Sequence, residues 1–316
     1  MLEADGRASI SGEAPDGTTL QRLCRGVAHD VLLMDLSLPG FEPGVLHGCS
    51  SPIVIVTSIS GANAARGNSF RAIAARVAGV YSKPDDADGW RVLGRELAAT
   101  VASLTRPRPT GSPVATSRVA ELREDDLRVV AIGASAGGPH ALRDLLVAAG
   151  RRSHARVAVV QHIASGFEAD LADWLAADTG LDVQVASRTR SFDPGTVRIA
   201  PSGRHMTVTP DLGLEFDEDP PIAGHRPSIT VLFRSLRPMP ARTIAAVLLS
   251  GMGDDGVDEL IGLHGRGAFT AVQARSTCAV PGMSRAALAR DPSVLELSPP
   301  EIGRALSLMA PREAAP

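Results

Sequence analysis

Short apolar runs separated by helical patterns set the rhythm of this chain. In its first third, His29 to Leu36 (HDVLLMDL), Pro52 to Ser58 (PIVIVTS) and Val77 to Ser82 read as strands. Ser9 to Glu13 reads as one more short strand, and helices are predicted at Thr18 to Val27, about Ala62 to Ala78 and Asp88 to Leu104. The pattern then lapses. Thr105 to Asp126 is rich in Pro, Ser, Thr and Arg and keeps no period, which is linker composition. Beyond it the rhythm resumes, with strands at Arg128 to Ile132, Arg156 to Val160, Thr243 to Leu249 and Phe269 to Gln273. Helices are predicted from Pro139, at Phe167 to Ala177, from the HRPS stretch to Leu236, after Gly256 and at Ser284 to Ala289. Asp193 to His205 and Asp211 to Phe216 carry the turn residues of short strands and a hairpin. Uninterrupted apolar runs alternating with helices imply parallel sheets covered on both faces. The fold class is therefore α/β, with one such domain on each side of the linker.

Composition changes this picture little. With 316 residues the chain is long enough for two cores. Net charge is -3 and no basic or acidic block occurs, so neither nucleic acid nor a membrane surface is an expected partner. The start, MLEADGRAS, has no signal-peptide pattern, and no apolar run reaches spanning length; the expectation is a cytoplasmic protein without membrane insertion. Cys24, Cys49 and Cys278 are too far apart in sequence for a disulfide framework or a metal knuckle and are expected to be small core or surface residues. Basic charge is almost all arginine, and Lys83 is the only lysine.

In parallel sheets function gathers at the carboxyl ends of strands. In the first domain those ends carry Asp35, Thr57 and Lys83; in the second they carry Ser135, His162 and the pair Asp254-Asp255. Ser135 sits in Gly133-Ala134-Ser135-Ala136-Gly137-Gly138, between a buried strand and a helix with Pro139 in its first turn. It is either a nucleophile or part of a phosphate cradle. A dinucleotide site would need GxGxxG spacing and an acid at the end of the next strand, where this chain has Gln161-His162. Gly133-Ala134-Ser135-Ala136-Gly137 matches the nucleophile elbow GxSxG, but the serine–acid–histidine order of that fold would need His264, too close behind the aspartates. The remaining order is Ser135, His162, then Asp254 or Asp255. Each residue also has a plain structural use, as a helix cap, a core histidine or a helix-start acid.

Two resemblances then enter. The order Asp35 in LLMDLSLPG, Thr57, and Lys83 in YSKP resembles a response-regulator receiver of flavodoxin-like fold, matching its phosphorylated aspartate, switch hydroxyl and phosphate-binding lysine. The receiver's first strand and helix, with the acidic pair that holds Mg²⁺, are lacking, which argues against phosphorylation; a misplaced start is the preferred explanation over a degenerate remnant. GASAGG, QHIASGF, PGTVRIAPSGRHM, HRPSITVLF, SGMGDDG and TCAVPGMSRAA resemble, in order and spacing, the catalytic domain of the chemotaxis methylesterase family CheB. That resemblance implies an incomplete receiver at residues 1–104, a linker at 105–127 and a doubly wound, parallel-sheet methylesterase domain at 128–310. It implies Ser135 as nucleophile, His162 as base and Asp255 as orienting carboxylate, with backbone N–H groups of Met252 and Ala136 for the oxyanion. His205, His225 and Arg226 are implied to line the cleft. The implied reaction is hydrolysis of glutamate γ-methyl esters on chemoreceptors, with deamidation of glutamine by the same route. No cofactor is implied for catalysis, and Mg²⁺ only where the receiver is phosphorylated by a CheA-type kinase. Alternatives are a catalytically quiet adaptor and a serine esterase of another signalling pathway.

Overall fold

The computed structural model describes residues 8–58, 72–105, 127–150, 155–188 and 191–310. The chain divides into two compact units, residues 1–107 with 163–171, and residues 108–162 with 172–316. Both are α/β with parallel sheets.

In the first unit β1 (Leu32–Met34), β2 (Ile53–Thr57) and β3 (Val77–Ser82) form a parallel sheet in that order. All five residues of β2 are buried, as expected for the central strand of a covered sheet. Helix α1 (Gly17–Gly26) starts where Asp16 accepts the Thr19 N–H at 2.7 Å, and α2 (Ala87–Leu104) starts where Asp86 accepts the Gly89 N–H. Leu93 and Leu97 of α2 pack with Val54, Val56 and Ala78. One prediction fails here: Ser9 to Glu13 is not a strand. Strand conformation needs a ladder partner, and among the described residues β1 pairs only with β2. The helix expected at 62–78 falls mostly outside the described residues; where they resume, Ala74–Arg76 form a 3₁₀ turn, and Val77 already belongs to β3. Of the expected linker, residues 106–126 lie outside the described residues.

The second unit is built on a seven-stranded parallel sheet. Its strands are β4 (Val129–Ala134), β5 (Arg156–Gln161), β6 (Asp182–Val185), β7 (Thr196–Ile199), β10 (Ile244–Leu248), β11 (Phe269–Gln273) and β12 (Leu295–Leu297). They run in the order β12-β11-β10-β4-β5-β7-β6. A separate antiparallel hairpin joins β8 (His205–Val208) to β9 (Leu214–Asp217). The helices are α3 (Gly138–Ala149), α4 (Glu168–Thr179), α5 (Ile229–Ser235), α6 (Val257–Gly265), α7 (Gly282–Arg290) and α8 (Pro299–Met309). Every residue of β4 and β10 is buried, and alternate residues serve opposite faces. Val129, Ala131, Ile244, Ala246 and Leu248 share one core with Ile229 and Phe233 of α5 and Val257 and Leu260 of α6. The order reverses direction around β4: the chain goes from β4 outward to β5, β7 and β6, then returns to add β10, β11 and β12 on the other side. Such a reversal opens a crevice at the carboxyl ends of the central strands.

Candidate active site

Ser135, His162 and Asp255 follow β4, β5 and β10, the three adjacent strands at that reversal. β4 and β5 pair in register with Ala134 opposite Gln161, and the His162 N–H donates to the Ala134 carbonyl at 2.8 Å. Ser135 and His162 therefore leave the sheet side by side. Between β4 and β10 the register sets Gly133 opposite Leu248, and the Ser135 N–H donates to the Ser250 carbonyl at 3.0 Å. The Gln161 side-chain amide donates to the carbonyls of both Ser135 and His162, at 2.8 and 2.9 Å, and so ties the two turns together.

The glycines around Ser135 are there for space. Gly137, at φ 77°, is in the left-handed region, and a Cβ on it would stand 2.5 Å from Ser250 Oγ. Gly251 is closer to the chemistry: a Cβ there would lie 2.8 Å from the Cβ of Ser135 and 2.2 Å from Met283 Sδ. Ser250 Oγ donates to the Ala136 carbonyl at 2.7 Å, holding the serine turn from behind. Because the Ser135 N–H is engaged with Ser250, that amide is not a free donor. The N–H groups of Ala136 and Met252 have no hydrogen-bond partner among the described residues.

Asp255 is buried, and its carboxylate is saturated. Oδ2 accepts from His162 Nε2 at 3.0 Å and from the Ile229 N–H at 2.7 Å. Oδ1 accepts from Ser228 Oγ at 2.9 Å, the Thr230 N–H at 2.9 Å and Thr230 Oγ1 at 2.7 Å. Burial pushes its pKa up, but the bonds from His162 and Thr230 outweigh that and hold the group well below the usual carboxylate range. An ionised carboxylate only accepts, so His162 must carry its proton on Nε2, which leaves Nδ1 with a free lone pair. That Nδ1 is buried and has no hydrogen-bond partner. Asp254 is different: its side chain is 63% exposed and pairs with Arg290 at 3.1 Å. Geometry thus separates two aspartates that composition left equivalent. His264 bonds Thr270 Oγ1 at 2.6 Å and Ser293 Oγ at 3.0 Å, so it serves neither aspartate in an elbow-type arrangement.

The three residues expected along the cleft part ways. The His225 ring stacks on His162, with centroids 3.9 Å apart and planes at 5°. Arg226 instead donates to the carbonyls of Glu218 and Asp219, at 2.8 and 3.1 Å. His205 is only 1% exposed and does not line a cleft; its Nδ1 accepts the Ser228 N–H at 3.2 Å. It lies behind the residue that bonds Asp255, because β8 carries it into the core. Ser228 and Thr230 were not singled out in the sequence. Their only signal there is two hydroxyls at the start of a helix, which ordinarily reads as capping.

In the first unit Asp35, Thr57 and Lys83 also meet. Thr57 Oγ1 donates to Asp35 Oδ1 at 2.9 Å, the Ser37 N–H donates to the same oxygen at 2.9 Å, and Lys83 Nζ pairs with Oδ2. Burial raises the Asp35 pKa, but the Lys83 and Ser37 bonds prevail and bring it down to about 2. A Mg²⁺ site would need further oxygen ligands beside Asp35. Among the described residues no group of three acidic side chains gathers there, and Lys83 already neutralises the carboxylate. These residues do not fit a resident Mg²⁺. No helix among the described residues is long and apolar enough to cross a membrane.

Residues 130–306 match a family model described as CheB methylesterase. A protein of Methanospirillum hungatei named protein-glutamate methylesterase/protein-glutamine glutaminase 2 is 32% identical, over 99% of this chain and 94% of its own length. An Anaeromyxobacter dehalogenans protein, named protein-glutamate methylesterase/protein-glutamine glutaminase 3, is 34% identical over 98% of this chain and 93% of its own. The crystal structure of the Thermotoga maritima CheB methylesterase catalytic domain superposes with a TM-score of 0.55 at 27% identity, covering 57% of this chain and 97% of that one.

Proposed function

The chain belongs to the CheB methylesterase family and is an enzyme of the protein-glutamate methylesterase/protein-glutamine glutaminase type; from that premise we propose that Ser135, His162 and Asp255 form its catalytic triad and that its substrates are chemoreceptor glutamates carrying γ-methyl esters. One observation carries the reading: His162 is bonded through Nε2 to a saturated, ionised Asp255 and keeps a buried, unpartnered Nδ1, on the strand next to Ser135.

His162 Nδ1 takes the hydroxyl proton as Ser135 Oγ attacks the ester carbonyl. The imidazolium that forms is stabilised by Asp255, whose five donors keep it ionised throughout. The oxyanion lies against the N–H groups of Ala136 and Met252, an interaction worth about 3 kcal/mol per donor in comparable sites. His162 returns the proton to the leaving methoxide, and methanol departs. Water, deprotonated by the same nitrogen, then attacks the acyl-enzyme and releases glutamate. With a glutamine substrate ammonia replaces methanol, and the rest is unchanged. The chemistry needs no cofactor, since base, carboxylate and oxyanion donors all come from the chain.

Methanol release from methylated receptor membranes tests this. The wild-type chain is expected to release it, and Ser135→Ala and His162→Ala to reduce kcat by at least 10³-fold. His264→Ala should retain turnover. Equal release by the wild type and Ser135→Ala would reject the triad.

A further inference from the structure

Folding brings together two of the three cysteines that are distant in sequence, both in the unit that does not carry the triad. In the first unit Cys24, on the buried side of α1, and Cys49, in the turn before β2, meet His29. The two sulfurs and a His29 ring nitrogen all lie within 4.8 Å of one another, and both cysteines are 7% exposed. Cys49 Sγ is 3.3 Å from His29 Nε2 and accepts from Arg76 Nη2 at 3.2 Å. Both partners are held in place. His29 Nδ1 is fixed 2.8 Å from the Val27 carbonyl, and Arg76 also donates to the Ser51 carbonyl at 2.6 Å.

The two thiols are thereby made unequal. Burial raises the Cys49 pKa, but donors from His29, Arg76 and Cys24 outweigh it and bring the pKa below the usual thiol value. Cys24 receives no such help, and burial, with its thiol donated to Cys49, pushes it up to about 11. A sulfur that accepts from a guanidinium and from an imidazolium, whose other N–H is taken by the Val27 carbonyl, beside a thiol that stays protonated is the division of labour between an attacking and a resolving cysteine. The same three side chains could also be read as metal ligands. Arg76 decides against that, because it is a permanent cation bonded to one of the sulfurs, and a metal ion would enter against its charge.

We propose that Cys24 and Cys49 are a hydroperoxide-oxidised dithiol, with Cys49 as the attacking thiolate and Cys24 as the resolving thiol. A cavity of about 440 Å³ has Cys24 and His29, but not Cys49, in its wall, and would bring hydrogen peroxide to the edge of the cluster, the Cys49 sulfur lying within 4.8 Å of the Cys24 sulfur and the His29 nitrogen. In the first step the Cys49 thiolate attacks one peroxide oxygen. The S–O bond forms, the O–O bond breaks and hydroxide leaves, giving a sulfenic acid. In the second step the Cys24 sulfur attacks Cys49; the S–S bond forms, the S–O bond breaks, and hydroxide leaves with the Cys24 proton as water. Two thiols lose two electrons and the peroxide is reduced to two waters. Disulfides of this kind are transient and sensing in reducing compartments.

The test uses the full, reduced chain treated with one equivalent of hydrogen peroxide, then alkylated and mapped by mass spectrometry. A linked Cys24–Cys49 peptide is expected, with Cys278 still alkylated. Cys24→Ser should stall at a Cys49 sulfenic acid that dimedone captures. Without any variant, Cys49 should alkylate at pH 7 at least 10-fold faster than Cys24, and Arg76→Gln should slow it about 10-fold with circular dichroism unchanged. Equal alkylation rates with no linked peptide would overturn the proposal. So would peroxide sparing all three thiols while one equivalent of Cd²⁺ gives thiolate-to-metal absorption, which would assign the cluster to a metal.

Discussion

His225 shows how much a single ring adds to the site. It lies flat on His162, and two stacked imidazoles cannot both hold a proton cheaply. Burial, and then the charge of His162, push its pKa down to about 4 from 6.5. In the proposed mechanism His162 can therefore take up the serine's proton while its neighbour stays neutral. The same shift has a stability consequence. Between pH 6.5 and 4 the unfolded chain binds a proton at His225 that the folded chain refuses, so stability falls as pH falls through that window. The loss is at most about 3 kcal/mol at the acid end. Asp255 adds little there, because a depressed carboxylate loses its contribution only as pH falls from the ordinary carboxylate value of 3.8 towards its own lower one. Urea unfolding of His225→Gln at pH 4.5 and 7.5 should show a smaller difference between the two than the wild type does. An unchanged difference would mean that another group carries the acid sensitivity.

At the scale of elements, what could be read in advance was what the local pattern controls. β3 begins and ends where its apolar run does, and Pro139 stands in the first turn of α3. The edge strands β6 and β12 were missed, since three or four residues with polar side chains look like loop until a neighbour supplies the ladder. α8 was missed as well, although Ser298 and Glu301 form a capping box at its start. Ser135 and His162 were legible because a strand end and a glycine turn are local signals. The support around them was not. Ser228, Thr230 and Ser250 reach the site across many residues of chain, and their sequence contexts say only cap or turn. Gly251 belongs to this tertiary layer. Adding a methyl group there forces Ser135 or Met283 to move, and Ser135, on a short side chain held by its own backbone, has little freedom to do so. Gly251→Ala should lower kcat by about 10–100-fold and cost about 1–3 kcal/mol of stability, as overpacking does elsewhere. Methanol-release kinetics read the first effect and chemical denaturation the second; loss of stability alone would mean the serine is not displaced.

At the scale of the whole molecule, the same architecture is used twice with different completeness. In the second unit the sheet's reversal sets three adjacent strand ends together, carrying Ser135, His162 and Asp255, with the His162–Asp255 bond formed. In the first unit three strand ends again converge, on Asp35, Thr57 and Lys83, but what converges is a neutralised pair. The nucleophile itself is not the obstacle. A carboxylate with a pKa of about 2 is fully ionised at neutral pH and able to attack phosphorus. The obstacle is the charge on the phosphoryl group being transferred, which catalysis has to neutralise from more than one side. Lys83 supplies one positive charge, and among the described residues no cluster of carboxylates stands ready to bring a divalent ion as well. The chain incubated with acetyl phosphate and Mg²⁺, or with a phosphorylated CheA-type kinase, is therefore expected to form no hydroxylamine-sensitive acyl phosphate. Strong labelling that Asp35→Asn abolishes would show that Lys83 and Thr57 suffice and that this unit works as a phosphorylated receiver.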